Sequence, residues 1–369
     1  MAQSLLRIIM IGGFLGAGKT TAIARLARRF TDQGKQVGIV TNDQAEGLVD
    51  TQFFQRQGFQ VGEVAGACFC CKFDALTETI DRLAGTVAPE IILTEPVGSC
   101  TDLIATVVEP LRALHADRFD IGPLSVLLKP EHGFKILGDQ KRAGFSPKAQ
   151  YIFLKQLEEA DVIAMNKVDA LEPSRCDELT YLLKSRFPEK PILLVSARTG
   201  EGFDELERLA IELTPTHRQM MEVDYDVYAQ GEAELGWLNA TVEITGAEFS
   251  LDSIVLEMVT RLAKQLVSDQ MEAAHVKVLV ETAESQAMAN LVSSETPPEL
   301  SFASHATATH GNLTINARVA GSPESLETKV RAAIAAIGQA YELKTEFKSM
   351  ARFRPAPPTP THRVTDLDS

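Results

Sequence analysis

The run Gly13-Phe14-Leu15-Gly16-Ala17-Gly18-Lys19-Thr20 constrains this chain more than any other stretch. It fills every fixed position of the pattern G-x-x-x-x-G-K-[ST]. It stands between an apolar run, Leu6-Arg7-Ile8-Ile9-Met10-Ile11, and an amphipathic segment. That segment puts Ile23, Leu26, Ala27 and Phe30 on one helical face and Arg25, Arg28 and Arg29 on the other. Strand, glycine turn and helix in this order predict one βα unit of a parallel sheet. The glycines let the backbone curl so that N–H groups converge, and the helix start adds the positive end of its dipole. Such a turn is built to hold phosphate oxygens. Lys19 is expected to reach the β- and γ-phosphates and the Thr20 hydroxyl to ligate Mg²⁺, both in catalytic roles. Gly13, Gly16, Ala17, Gly18 and Thr21 complete the expected cradle. A chance match in a glycine-rich turn is the bland alternative, and the flanking strand and helix argue against it.

The same alternation continues to about residue 213. Val37–Thr41, Ile91–Thr94, Leu124–Leu128, Val162–Met165 and Ile192–Val195 are short apolar runs separated by helix-length stretches. Near-continuous apolar strands of this kind predict a parallel sheet covered on both faces, an α/β domain over 1–213. From 214 to 234 the composition turns polar around Thr214-Pro215-Thr216, and a linker is expected. Over 235–353 the period changes to two. Leu238, Ala240, Val242 and Ile244 share one face, as do Val276, Val278 and Val280, then Leu313, Ile315, Ala317 and Val319. Leu343, Thr345 and Phe347 form a fourth strand face. Two amphipathic helices lie between these strands, one carrying Leu251, Ile254, Val255, Met258 and Leu262. The other opens at Ser322-Pro323 and carries Leu326, Val330 and Ile334. The order predicts a smaller, ferredoxin-like α+β domain. A proline-rich tail over 354–369, with Pro355, Pro357, Pro358 and Pro360, is expected to be disordered.

Two further elements follow strand ends. Asn166-Lys167-Val168-Asp169 comes after Val162–Met165. A carboxylate at that corner can accept two hydrogen bonds from guanine, from N1–H and the exocyclic amine, which adenine does not offer. Ser196-Ala197 follows the next strand, where GTPases place their second guanine-contacting loop. GTP is therefore the expected nucleotide, held by Asn166, Lys167, Asp169, Ser196 and Ala197. Glu95-Pro96-Val97-Gly98 ends the strand Ile91–Thr94. It resembles the D-x-x-G motif of GTPases with glutamate as the acid, which implies that Glu95 approaches the Mg²⁺ shell as a catalytic carboxylate and that the Gly98 N–H approaches the γ-phosphate. The alternative is a strand-end turn with an incidental acid.

Three of the five cysteines fall within four positions, Cys68-Phe69-Cys70-Cys71. Thiolates so close can converge on one soft or borderline ion, with Zn²⁺ the natural candidate. Three sulfurs leave one position of a tetrahedron open, which suits transfer better than a structural role. Glu63, Glu46 and Asp43 are candidate fourth ligands by proximity in the chain. A redox pair or inert thiols are the alternatives. Cys100 and Cys176 stand apart and read as core or surface residues, and His305 and His310 read as a solvated loop. Five cysteines in 369 residues make no disulfide framework. The net charge of −14 gives no general attraction to nucleic acid. No apolar run approaches a membrane span, and the N-terminus shows no secretory pattern, so the cytoplasm is the expected compartment.

Taken together, Gly12–Thr21, Cys68–Cys71, Glu95–Gly98 and Asn166–Asp169 resemble the ordered motifs of CobW-like GTPases, within the CobW/HypB/UreG group. Glutamate in the third motif is itself a trait of that group, and the resemblance covers roughly residues 6–213. Pro96 and Val97 depart from the small hydroxylated pair usual there. The C-terminal half resembles the CobW C-terminal domain in pattern only. The resemblance implies a slow GTPase that binds a transition metal at the cysteines and delivers it to a client metalloprotein or cofactor pathway. Neither nucleic acid nor membrane is expected as a partner, and the reading leaves room for a homodimer. Metal at Cys68, Cys70 and Cys71 is expected to sit beside switch I, roughly residues 42–50, so that each ligand alters affinity for the other. Rival readings are a regulatory GTPase with structural zinc, a corrinoid-enzyme activase, and an ATP-dependent kinase. The Asn166–Asp169 motif argues against the last.

Overall fold

Eight consecutive residues form β1 (Leu6–Gly13), and all but the first are buried. The structure, a computed structural model, describes residues 5–44, 49–138, 146–215, 220–294 and 296–365. After β1 come α1 (Lys19–Asp32), β2 (Val37–Asp43), α2 (Val49–Arg56), β3 (Gln60–Ala65), α3 (Phe73–Val87) and β4 (Ile91–Glu95). A buried π-turn over Ile104–Val108 leads into α4 (Glu109–Leu114). Then follow β5 (Phe119–Leu128), α5 (Pro130–Leu137), α6 (Pro147–Glu159), β6 (Val162–Met165), α7 (Pro173–Arg186), β7 (Ile192–Leu194), α8 (Phe203–Glu212) and α9 (Tyr225–Ala233).

The seven strands run parallel in the order β3-β2-β4-β1-β5-β6-β7. Chain order departs in both directions from β1, so the strand that feeds the glycine loop lies at the topological switch point. Ligand crevices of open α/β sheets form there, beyond the carboxyl ends of the strands. Helix α1 covers the sheet with the predicted face, as Ile23, Leu26, Ala27 and Phe30 are fully buried. Apolar burial of this kind stabilises by roughly 1.5–3 kcal/mol per large side chain. The expected α/β fold class is what the structure has.

The chain divides into two compact units. The first comprises Met1–Gln44, Gln57–Gly231 and Pro357–Ser369, and the second Ala45–Arg56 and Glu232–Ala356. The second unit holds β8 (Leu235–Ser250), α10 (Leu251–Ser268), β9 (Ala273–Glu281), β10 (Gln286–Leu291), β11 (Glu299–Phe302), β12 (Thr307–Ala320), α11 (Pro323–Ala340) and β13 (Leu343–Phe353). Its antiparallel sheet has the order β11-β10-β9-β12-β8-β13. The four inner and edge strands β9-β12-β8-β13 with their two helices give the ferredoxin-like arrangement. The hairpin β10–β11, absent from the four-strand expectation, widens it. Ser250 and Ser322 cap α10 and α11 through Ser253 N–H and Ser325 N–H, at 3.3 and 3.1 Å. The predicted alternating faces of β8, β9 and β12 form its core with both helices.

Three expectations about connecting segments are corrected. The polar stretch 214–234 contains α9, whose Tyr228 is 1% exposed and accepts from Thr101 N–H at 3.4 Å. Burial of Tyr228 made that part a packed element rather than a free linker. The tail over 354–369 is not a free coil where it is described. Thr361 N–H donates to Cys70 O at 2.8 Å and Val364 N–H to Ala105 O at 2.9 Å. Prolines lower the cost of fixing such a strap, because their φ is already restricted. Lastly, the stretch 42–50, expected as switch I, is divided between the two units. Asn42 and Asp43 end β2 in the first unit, whereas α2 belongs to the second. There Val49 N–H donates to Asn316 Oδ1 at 2.9 Å, Asp50 pairs with the buried Lys277, and Phe53 meets Phe302 edge-on at 5.6 Å.

Candidate nucleotide and metal sites

The glycine loop has the backbone its sequence requires. Gly13, Gly16 and Gly18 take φ of 132°, 75° and 91°. A Cβ on Gly13 would fall 2.2 Å from Leu127 O, and one on Gly18 2.4 Å from Asn166 Nδ2. These positions leave room for no side chain, so the loop packs directly on Leu127 and Asn166 with its backbone amides kept free of Cβ cover, as a phosphate-binding loop requires. Lys19 Nζ donates to Gly13 O at 3.0 Å, folding back over the loop. Gly98 passes directly above it, since a Cβ there would come within 3.0 Å of Lys19 Nζ. The Thr20 hydroxyl donates to Glu95 Oε1 at 3.0 Å. Hydroxyl and carboxylate are both hard oxygen donors of the type Mg²⁺ takes. Lys19, Thr20, Glu95 and Gly98 are thus gathered at one mouth.

The base-side residues converge on the same loop. Asn166 donates from Nδ2 to Ala17 O at 2.8 Å and accepts from Ala197 N–H at 2.9 Å. One side chain therefore clamps the glycine loop to the Ser196-Ala197 loop. Lys167 follows in the left-handed region, at φ 65°, and turns the chain into a short 3₁₀ turn over Val168–Ala170. Strain at a non-glycine residue is tolerated where surroundings hold it. Asp169 accepts from Ser196 Oγ at 2.6 Å and pairs with Arg198. Burial by itself would raise its carboxyl, but Ser196 and Arg198 hold it below the usual range. Arg25 of α1 fixes this corner, donating to Ala197 O at 2.7 Å and Arg198 O at 2.6 Å. That role of Arg25 had no signal in the sequence beyond a position on the polar face of α1.

The cysteines lie between β3 and α3. Cys68 Sγ is 2.9 Å from Cys70 Sγ and 3.1 Å from Cys71 Sγ, and the last two are 3.8 Å apart. A tetrahedral zinc with Zn–S of ~2.3 Å separates its sulfurs by about 3.8 Å, so the triad fits one ion after small adjustments. Among the described residues, these three alone form a group of His, Cys, Asp or Glu with all ligand atoms within 4.8 Å. Asp43 and Glu63 do not join it, and Glu46 lies outside the described residues. The loop is fixed from β2. Asn42 donates to Val64 O and Ala67 O, both at 2.8 Å, and accepts from Phe69 N–H at 2.9 Å.

Cys68 and Cys70 are 4% and 1% exposed, whereas Cys71 is half-buried. Contacts from Cys100, then Cys70 and Cys71, push the Cys68 thiol down, and Cys68 in turn pushes Cys70 and Cys71 up. One thiolate is favoured and its charge holds the other protons in place. A divalent cation replaces those protons and removes the conflict. The positive end of α3, which starts at Phe73, also favours anionic sulfur. Cys100 is corrected here from an isolated residue to a partner of Cys68. It lies five residues after Glu95, and a single cysteine so placed carries no sequence signal of its own. Cys176 is buried on α7, away from the triad, as a core residue would be.

A parallel sheet whose switch point feeds this loop, with an Asn-Lys-x-Asp corner beside it, defines a P-loop nucleotide-binding protein. The chain belongs to the CobW/HypB/UreG family, whose nucleotide-binding domain matches residues 7–193. The zinc chaperone YeiR of Escherichia coli is 29% identical over 174 residues, 45% of this chain and 48% of that protein. The zinc chaperone CobW of Sinorhizobium is 27% identical over 227 residues, 54% of this chain and 61% of that one. The chain thus spans about half the length of the E. coli relative it matches. HypB from Helicobacter pylori, solved in complex with nickel, is 17% identical with a TM-score of 0.43, covering 58% of this chain and 92% of HypB. No helix among the described residues is long and apolar enough to cross a membrane.

Proposed function

We propose that this chain is a GTP-hydrolysing metallochaperone, which loads Zn²⁺ or Co²⁺ at Cys68, Cys70 and Cys71 and passes it to a client metalloprotein or cofactor pathway. The observation that carries the reading is the thiol triad itself, in the same unit as the glycine loop and touched by Cys100 from the loop that follows Glu95. The zinc-chaperone relatives support the choice of metal.

In hydrolysis, water attacks the γ-phosphorus and the β–γ bridging oxygen leaves with GDP. Lys19, the loop amides and Gly98 N–H stabilise the charge that spreads over the transferring group. Thr20 and Glu95 would hold Mg²⁺, which would supply further neutralisation of the phosphate oxygens. No arginine finger or positioned glutamine was identified in the sequence, so intrinsic turnover is expected at about 10⁻⁴–10⁻² per second. Asp169, with Asn166, Lys167, Ser196 and Ala197, selects guanine. Closure of Gly98 on the γ-phosphate moves a short segment ending at Cys100, and this segment carries the nucleotide state to Cys68.

Cobalt(II) titration of the reduced protein tests the reading. Thiolate-to-metal charge transfer at one equivalent, lost in Cys68→Ser and Cys70→Ser with GTP binding retained, is expected. A chelated protein that unfolds would instead favour structural zinc, and absence of thiolate charge transfer would remove the chaperone reading.

A further inference from the structure

The described part of the C-terminal tail crosses the cysteine loop. Thr359 N–H donates to Cys71 Sγ at 3.2 Å. Thr361 donates from N–H to Cys70 O at 2.8 Å and from Oγ1 to Cys71 O at 3.3 Å. Next to these, His362 meets Phe73, the first residue of α3, edge-on at 4.8 Å. Arg363 then reaches Asp102, with Nε 2.7 Å from Oδ2, and donates to Met221 O at 3.0 Å.

Asp102 forms a socket for this arginine. Its side chain is 1% exposed, its φ is 65°, and the Tyr225 hydroxyl donates to the same Oδ2 at 2.7 Å. A buried carboxylate held in a strained backbone state is costly to maintain, and the guanidinium supplies the charge it needs. Val364 closes the strap on the π-turn at Ala105. The tail is therefore pinned at Arg363 and Val364, and just before these anchors its backbone meets the one sulfur of the triad that is not buried.

We propose that the tail is a working part of the metal centre and that Thr359 is its positioning residue, its amide orienting the Cys71 thiolate and lowering its tendency to let the metal go. This inference rests on the metallochaperone reading of the triad. A peptide N–H aimed at sulfur stabilises the anionic ligand and fixes its direction. Outer partners of metal ligands commonly contribute about 10–100-fold in affinity. Because Cys71 is the accessible sulfur, a thiol acceptor taking the ion must first share Cys71 with the tail. Arg363 ties that tail to Asp102, two residues beyond the Cys100 end of the segment proposed to move with the nucleotide.

The test uses the full chain and Zn²⁺ competed against a chromophoric chelator, with cobalt(II) absorption as a second readout. Thr359→Pro deletes the N–H in a stretch already flanked by Pro358 and Pro360, whereas Thr359→Ala keeps it. Thr359→Pro is expected to weaken Zn²⁺ by about 10–100-fold and to speed its loss to chelator, with Thr359→Ala unchanged. In a Cys71→Ser background the proline is expected to add nothing, as a residue acting through Cys71 requires. If Thr359→Pro does not fold, Arg363→Ala carries the test and is expected to shift affinity in the same direction. Wild-type affinity and release in both folded variants, or equal effects with and without Cys71, overturns the inference. A wild-type protein that shows no thiolate charge transfer overturns the metal reading instead.

Discussion

The Thr20 hydroxyl donates to Glu95 Oε1 across 3.0 Å, which joins the end of the glycine loop to the end of β4. The first residues of α1 and of the Glu95–Cys100 segment are thereby in direct contact. If both oxygens serve one Mg²⁺, Thr20→Ala should bind GTP equally with and without EDTA. Wild-type affinity should fall by about tenfold or more when Mg²⁺ is removed, consistent with the several kcal/mol a metal contributes to phosphate charge. Calorimetry in the two buffers distinguishes these outcomes.

Asp169, proposed to select the base, has its carboxyl held below the usual range by Ser196 and Arg198. Asp169→Asn keeps the size and the corner geometry while removing the charge. Hydrogen bonds to charged groups are worth ~1.5–3 kcal/mol each, so GTP affinity should drop by at least about 10-fold while ATP affinity stays low. Competition between fluorescent GTP and unlabelled nucleotides measures both.

Cys100 is expected to matter for communication more than for binding. Cys100→Ala removes a side-chain partner of Cys68 but leaves the three triad sulfurs in place. Zn²⁺ affinity in GDP should change by less than about 10-fold, the low end for an outer partner of a ligand. The difference between GDP and a non-hydrolysable GTP analogue should shrink markedly. Chelator competition in the two nucleotides reads both quantities.

Glu159 gives the fold a pH dependence of unusual sign. Burial pushes its carboxyl up to about 8 from 4.5, against donations from Ile104 N–H and Thr101 Oγ1. Between those values the folded protein keeps a proton that the unfolded chain releases. Stability should therefore fall as pH rises from about 4.5 to 8, by up to about 1.4 kcal/mol per pH unit from this group, and level off above. Glu159→Gln should flatten that slope and raise the melting temperature at pH 8 relative to wild type. Equal slopes in thermal melts of the two proteins would contradict it.

Much of the first unit was legible because its information is local. Gly13–Thr20 encodes its own turn, Asn166–Asp169 its own corner, and β1, β4 and β6 announce themselves as unbroken apolar runs. Strand β3 did not, because Gln60 and Glu63 interrupt it at an exposed and a half-exposed position. The same limit hid α9, with Gln230, Gly231 and Glu232 in so short a helix, and the hairpin β10–β11, with few β-branched residues. Asn42, Cys100, Asp102 and Arg363 act through partners 27, 32, 123 and 261 positions away. Nothing in the local sequence marks such pairs. The tail was read from its prolines alone, and composition does not reveal that a buried Asp102 awaits its arginine.

The central claim is that metal at the triad and triphosphate at the glycine loop alter each other's binding. Zn²⁺ affinity measured by chelator competition, first with GDP and then with a non-hydrolysable GTP analogue, tests it most directly. The account predicts at least about a 5-fold difference, matched by an equal factor in nucleotide affinity with and without Zn²⁺, as linkage requires. Identical Zn²⁺ affinity in the two nucleotides would contradict it.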